Sequence, residues 1–130
     1  MKPEYRILLL AIIITAAFDT AGSIASRQFN FNYALLTLGS FIIYGAFAFI
    51  ATAKKDLITG VATATAIGLF DATIGWRLSV ILHANTGGLN NNPTVEVWIG
   101  TAMFVIISAA IIGLIAGLIA RAVFKSKRAV

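Results

Sequence analysis

Four long apolar runs, at residues 7–26, 34–53, 57–82 and 97–120, constrain this chain more than any other feature in it. Each has at least about 20 residues, the length a helix needs to cross roughly 30 Å of hydrocarbon at about 1.5 Å per residue. Lipid offers backbone N–H and C=O groups no partner, so a spanning segment must be a helix or a strand of a closed barrel. Barrel strands are about ten residues long and alternate polar with apolar. The run Leu8-Leu9-Leu10-Ala11-Ile12-Ile13-Ile14 has no such alternation. The chain therefore reads as all-α: an integral membrane four-helix bundle, one transmembrane domain over residues 1–130.

Composition excludes the main alternatives. Hydrophobic residues make up 59% of the chain and charged residues 12%, against roughly 45–50% and 25% in a soluble domain. That balance excludes disorder, a nucleic-acid-binding tail and an ordinary cytosolic fold. The net charge of +5 does not signal nucleic acid, because the basic residues sit between apolar runs rather than in one patch. Without cysteine, disulfides, thiolate metal sites and cysteine nucleophiles are all excluded.

Basic residues set an expected orientation. Lys2 and Arg6 precede the first run, Lys54 and Lys55 separate the second from the third, and Arg121, Lys125, Lys127 and Arg128 follow the fourth. The other two connections carry only Arg27, with Arg77 just short of the loop. This bias predicts both termini in the cytoplasm of a cell whose plasma (inner) membrane the chain crosses. Ser23-Ile24-Ala25 imitates a signal-peptide cleavage site, but the length of the first run favours a retained span. Tyr5 and Phe124 are expected at the inner interface, and Phe29, Phe31, Tyr33 and Trp98 at the outer one. Residues 83–96, rich in Gly and Asn, read as an irregular outer loop. Within it, Asn92-Pro93-Thr94 is no glycosylation acceptor, because proline holds the middle position.

The two halves echo each other. Phe18-Asp19-Thr20-Ala21-Gly22 recurs as Phe70-Asp71-Ala72-Thr73-Ile74-Gly75, and Leu38-Gly39-Ser40 as Ile99-Gly100-Thr101. Each half would be a two-helix hairpin, giving two parallel repeats about an axis along the membrane normal. Gly60, Ala64, Gly68 and Ala72 recur at four-residue spacing, as do Ala109, Gly113 and Gly117. Such stripes let helix backbones approach closely. Four helices enclose little interior, so self-association is expected.

Asp19 and Asp71 are the candidate site. Counted along their runs, both fall about 2–4 Å to the outer side of the midplane. An aspartate there costs about 2.5–3.5 kcal/mol on insertion scales, so it is expected to face an interior or a wet cavity. Thr15, Gly22, Ser23 and Ser26 share a helical face with Asp19, and Ala64, Gly68 and Gly75 share one with Asp71. Two carboxylates brought together cannot both ionise cheaply, which favours a shared proton or a bound cation. Thr15, Thr20, Ser23 and Thr73 are candidate neighbouring ligands. Arg27 and Arg77 are candidate charge partners, either tuning an outer entrance or neutralising the aspartates in a purely structural role. Arg77 is also near enough to the outer headgroups to snorkel. Tyr44, mid-span, needs a hydrogen-bond partner that an aspartate or a backbone carbonyl could supply.

Little else suggests chemistry. His83 is the only histidine, and one histidine makes no zinc site without further ligands. The tail Lys125-Ser126-Lys127-Arg128 reads as an orientation signal that could also attract anionic lipid. With no nucleophile–base spacing, metal cluster or phosphate loop, neither an enzyme nor a bound cofactor or metal is expected. The expected function is a homo-oligomeric channel or transporter for a proton, a small cation or a cationic solute. The expected partners are the lipid bilayer, further copies of the chain and that cation, with no nucleic acid. The alternative is a non-catalytic accessory or assembly subunit of a larger membrane complex, docked through its small-residue faces.

Overall fold

All four apolar runs are helical in the computed structural model, which describes residues 1–87 and 94–128, with side chains as far as residue 125. Helix α1 spans Pro3–Phe29, and a 3-10 turn at Tyr33–Leu36 leads into α2, Thr37–Lys54. Helix α3, Leu57–Phe70, runs through a π turn at Asp71–Gly75 into α4, Trp76–Ile81, so these pieces form one rod. Helix α5 spans Val95–Arg128. The four rods are long and apolar enough to cross a membrane, and there is no strand among the described residues. The architecture is that of a helical multi-pass membrane protein. The run at 88–93 and the tail side chains from 126 onward lie outside the described residues.

Three of the rods outrun the expected spans, because hydropathy marks the apolar stretch while helical geometry continues through polar flanks. Local signals set the true ends. Pro3 opens α1, where a missing N–H goes unnoticed, and Glu4 complements the positive end of the helix dipole. Asn30 closes α1 in the left-handed conformation at φ 53°, with its N–H returned to the Ser26 carbonyl. Asp56 caps α3 by accepting from the Thr59 N–H at 2.7 Å. That N–H holds the Asp56 carboxyl below the usual carboxylate range.

At one end of the bundle, Lys55 Nζ lies 3.0 Å from Glu4 Oε1 and the Phe49 and Phe124 rings are 6.0 Å apart. The start of α1, the α2–α3 turn and the end of α5 therefore share this basic end. At the opposite, loop end, the Tyr33 N–H donates to the Asn85 carbonyl at 2.7 Å. There the Asn85 N–H also donates to Ser26 Oγ at 3.1 Å. Helix α5 packs on α2 and α3, whereas α1 packs on α2 and the third rod.

The small-residue stripes meet where α3 crosses α5. A Cβ on Gly113 would stand 2.6 Å from Ala64 Cβ, and one on Gly68 2.5 Å from Ala109 Cβ. Only glycine permits that approach. Large apolar side chains such as Leu9, Ile13, Ile42, Ile58, Ile111 and Ile115 point outward instead. A surface of this kind suits hydrocarbon rather than water.

Candidate functional site

The buried strip of α1 is polar: Thr15, Asp19, Gly22, Ser23 and Ser26 all face inward. This is the face on which the sequence places Asp19. The residue is 1% exposed. Asp19 Oδ1 accepts from the Tyr33 hydroxyl at 3.3 Å, while Oδ2 is buried with no hydrogen-bond partner of ordinary geometry.

Asp71 approaches from the third rod. It occupies the first position of the π turn, and Gly75 the last. Its Oδ2 accepts from the Tyr44 hydroxyl, and the Ser40 hydroxyl stands close by. Gly75 shows how near the two carboxylates are. A Cβ there would sit 2.7 Å from Asp71 Oδ1 and nearer still to Asp19 Oδ2. The two oxygens are thus separated by less than twice that distance, across a gap that exists because residue 75 has no side chain.

Beside the pair lies a cavity of about 440 Å³. Its walls come from α2 (Ser40, Phe41, Tyr44), from the third rod (Asp71, Ala72, Trp76, Ser79, Val80) and from the first turns of α5 (Val97, Thr101, Val105). Asn32, Thr86 and Thr94 rim it at the loop end. Asp71, Tyr33 and Tyr44 line it, and Asp19 does not. The order inward is therefore cavity, then Asp71 with Tyr33 and Tyr44, then Asp19.

Other candidate residues fall differently. The Thr15 hydroxyl donates to the Ala11 carbonyl at 2.8 Å, Thr20 to Ala16 at 2.7 Å and Thr73 to Leu69 at 2.7 Å. These three turn back on their own helices, as threonines in apolar helices do. None of them hydrogen-bonds a carboxylate. Ser23 Oγ is buried beside Tyr33 without a partner of ordinary geometry. It stays next to the pair.

The arginines are a correction. Arg27 Nη1 donates to the Leu82 carbonyl at 3.3 Å, and the only ion pair among the described residues is Lys55–Glu4. Neither Arg27 nor Arg77 neutralises an aspartate. Helix rise explains why pairing across to the neighbouring helix fails: Arg27 lies about 12 Å and Arg77 about 9 Å along the axis beyond the level of the adjacent aspartates. Among the described residues, no three His, Cys, Asp or Glu side chains gather as metal ligands would.

Tyr33 has a role that its residue type alone does not reveal. From the turn at the loop end it points its hydroxyl to Asp19. The available signal is its place just before the second run, at the loop end that also carries the Asp19 helix's C-terminus. Ser40 and the π turn gave less warning. For Tyr44 the carboxylate is the partner, not a backbone carbonyl.

Fold and site together define a helical membrane protein with a carboxylate pair between its helices. No family model matches the chain, and neither a curated protein nor a solved structure shows similarity to it.

Proposed function

We propose that the chain is a small channel or transporter for a proton, a small cation or a cationic solute, with Asp19 and Asp71 as its intramembrane site. One observation carries this reading: two carboxylate oxygens face each other over Gly75, free of arginine, at the foot of a cavity. Like charges so close cannot both persist without a proton or a cation. Tyr33 and Tyr44 orient the outer oxygens, and Asp71 connects the pair to the cavity.

The membrane frame belongs to the same proposal. The basic end lies in the cytoplasm of a plasma (inner) membrane, by the lysine and arginine bias. Further copies of the chain complete the pathway as a homo-oligomer. The halves are parallel hairpin repeats, a relation supported by the π turn. Its extra residue matches the one-residue offset between Asp19…Gly22 and Asp71…Gly75.

Flux measured in vesicles reconstituted with the pure protein tests the reading. Wild-type protein is expected to carry protons or monovalent cations, and Asp19→Asn and Asp71→Asn to abolish that flux while remaining folded. Unchanged flux in both variants, or none in the wild type, contradicts it. The second outcome would favour an accessory subunit.

A further inference from the structure

The cavity narrows the choice of ligand, given the transport reading above. Its walls are mostly apolar or aromatic, with Phe41, Tyr44 and Trp76 among them, and Tyr44 bonded to Asp71. Phe41 and Tyr44 form a tilted ring pair with centroids 6.0 Å apart. No Lys, Arg or His among the described residues lines it, so Asp71 is its only described charge. Small-molecule pockets of about 300–1,000 Å³ typically combine such walls with one or two fixed polar groups.

An inorganic cation is less well served here. Na⁺ or Ca²⁺ needs its water shell replaced by several oxygens, whereas beside Asp71 the mostly apolar walls add only scattered hydroxyls, and that of Tyr44 is already engaged by the carboxylate. An alkylammonium needs one opposite charge and favourable aromatic faces. The second observation is Asp19, almost fully buried behind Asp71 with Oδ2 unpartnered and turned toward it. It supplies negative potential, or holds the proton, without entering the cavity.

We infer that the cavity binds a lipophilic organic monocation, its ammonium against Asp71 and its apolar body along Phe41 and Trp76, reached from the loop end. The arrangement divides the labour between the aspartates. Asp71 meets the ligand, and Asp19 acts through Asp71 as a positioning residue.

Calorimetric titration of the full chain in lipid nanodiscs tests this with phenyltrimethylammonium as the probe. Na⁺ and the uncharged isostere tert-butylbenzene serve as competitors. Saturable binding is expected, weakened about 30-fold or more by Asp71→Asn, which leaves the ligand's charge unpaired. Trp76→Leu, on the cavity wall and independent of the carboxylates, is expected to weaken it about two- to fivefold. Asp19→Asn is expected to retain most of the binding while losing flux.

Three results overturn the inference: no saturable binding, binding untouched by both Asp71→Asn and Trp76→Leu, or equal competition by either competitor. Equal competition by tert-butylbenzene identifies an apolar lipid slot, and by Na⁺ a small-cation site. Aspartate-dependent flux without ammonium binding removes the ligand class and leaves the transport reading standing. Binding without flux does the reverse.

Discussion

The two Phe-Asp…Gly segments start from nearly the same residues and end in different environments. In α1, Phe18-Asp19-Thr20-Ala21-Gly22 stays regular α-helix, and Gly22 lets Leu36 and Tyr33 pack against the backbone. In the third rod, Phe70-Asp71 is followed by one more residue before Gly75, and the helix takes a π turn there. Gly75 consequently opens onto the carboxylates rather than onto apolar side chains. Asp19 is sealed, while Asp71 lines the cavity. One additional residue in a helical turn thus separates a buried acid from an accessible one. Single π turns inside α-helices often occur at functional sites.

The glycines offer the strongest way to break this contrast. Gly75→Ala drives a methyl between Asp19 Oδ2 and Asp71 Oδ1, with no flexible apolar neighbour to yield. Overpacking of this kind costs about 1–3 kcal/mol, and separating the pair is expected to stop flux as well. At Gly22 the nearest atom is the tip of the Leu36 side chain, which can rotate away. Gly22→Ala is therefore expected to lower the melting temperature less and to keep its flux. Thermal unfolding in micelles beside vesicle flux checks both; equal losses at the two positions would erase the distinction.

A smaller effect is expected from the tyrosines. Tyr44→Phe and Tyr33→Phe each remove one hydroxyl donor from a carboxylate. An unsatisfied buried acceptor costs about 1–3 kcal/mol. Water from the cavity can replace the donor at Asp71 but has no route to sealed Asp19. Tyr33→Phe should consequently destabilise the fold more, and Tyr44→Phe should disturb ligand binding more. The pair of melting curves and binding isotherms sharpens the difference or reverses it.

Much of this architecture is legible in the residues. Apolar runs longer than a bilayer is thick leave helices as the only economical answer, and the small or hydroxyl-bearing neighbours of Asp19 mark its inward face. Glycine spacing in α3 and α5 likewise anticipates their close crossing. The details of the site are less accessible. Three threonines look like ligands by position, yet each satisfies its own helix. Arg27 and Arg77 look like counter-charges for the aspartate of the neighbouring helix, whereas helix rise carries both beyond the level of the pair. Tyr33 reads as an interface marker by type, and only tertiary packing shows that its hydroxyl also reaches Asp19. The π turn has no reliable residue signature, since it reflects how one added residue is absorbed between fixed contacts.

Infrared difference spectroscopy tests most directly the claim that Asp19 and Asp71 form one carboxyl pair, with Asp71 open to the cavity and Asp19 buried behind it. The other three acids, Glu4, Asp56 and Glu96, lie at helix ends and contribute ionised carboxylates at neutral pH. A protonated-carboxyl band is expected at pH 7; the shared proton exchanges through cavity-lining Asp71, so the band shifts in D₂O, and it disappears when both aspartates become asparagine. A spectrum without that band, or a band that D₂O never reaches, would contradict it.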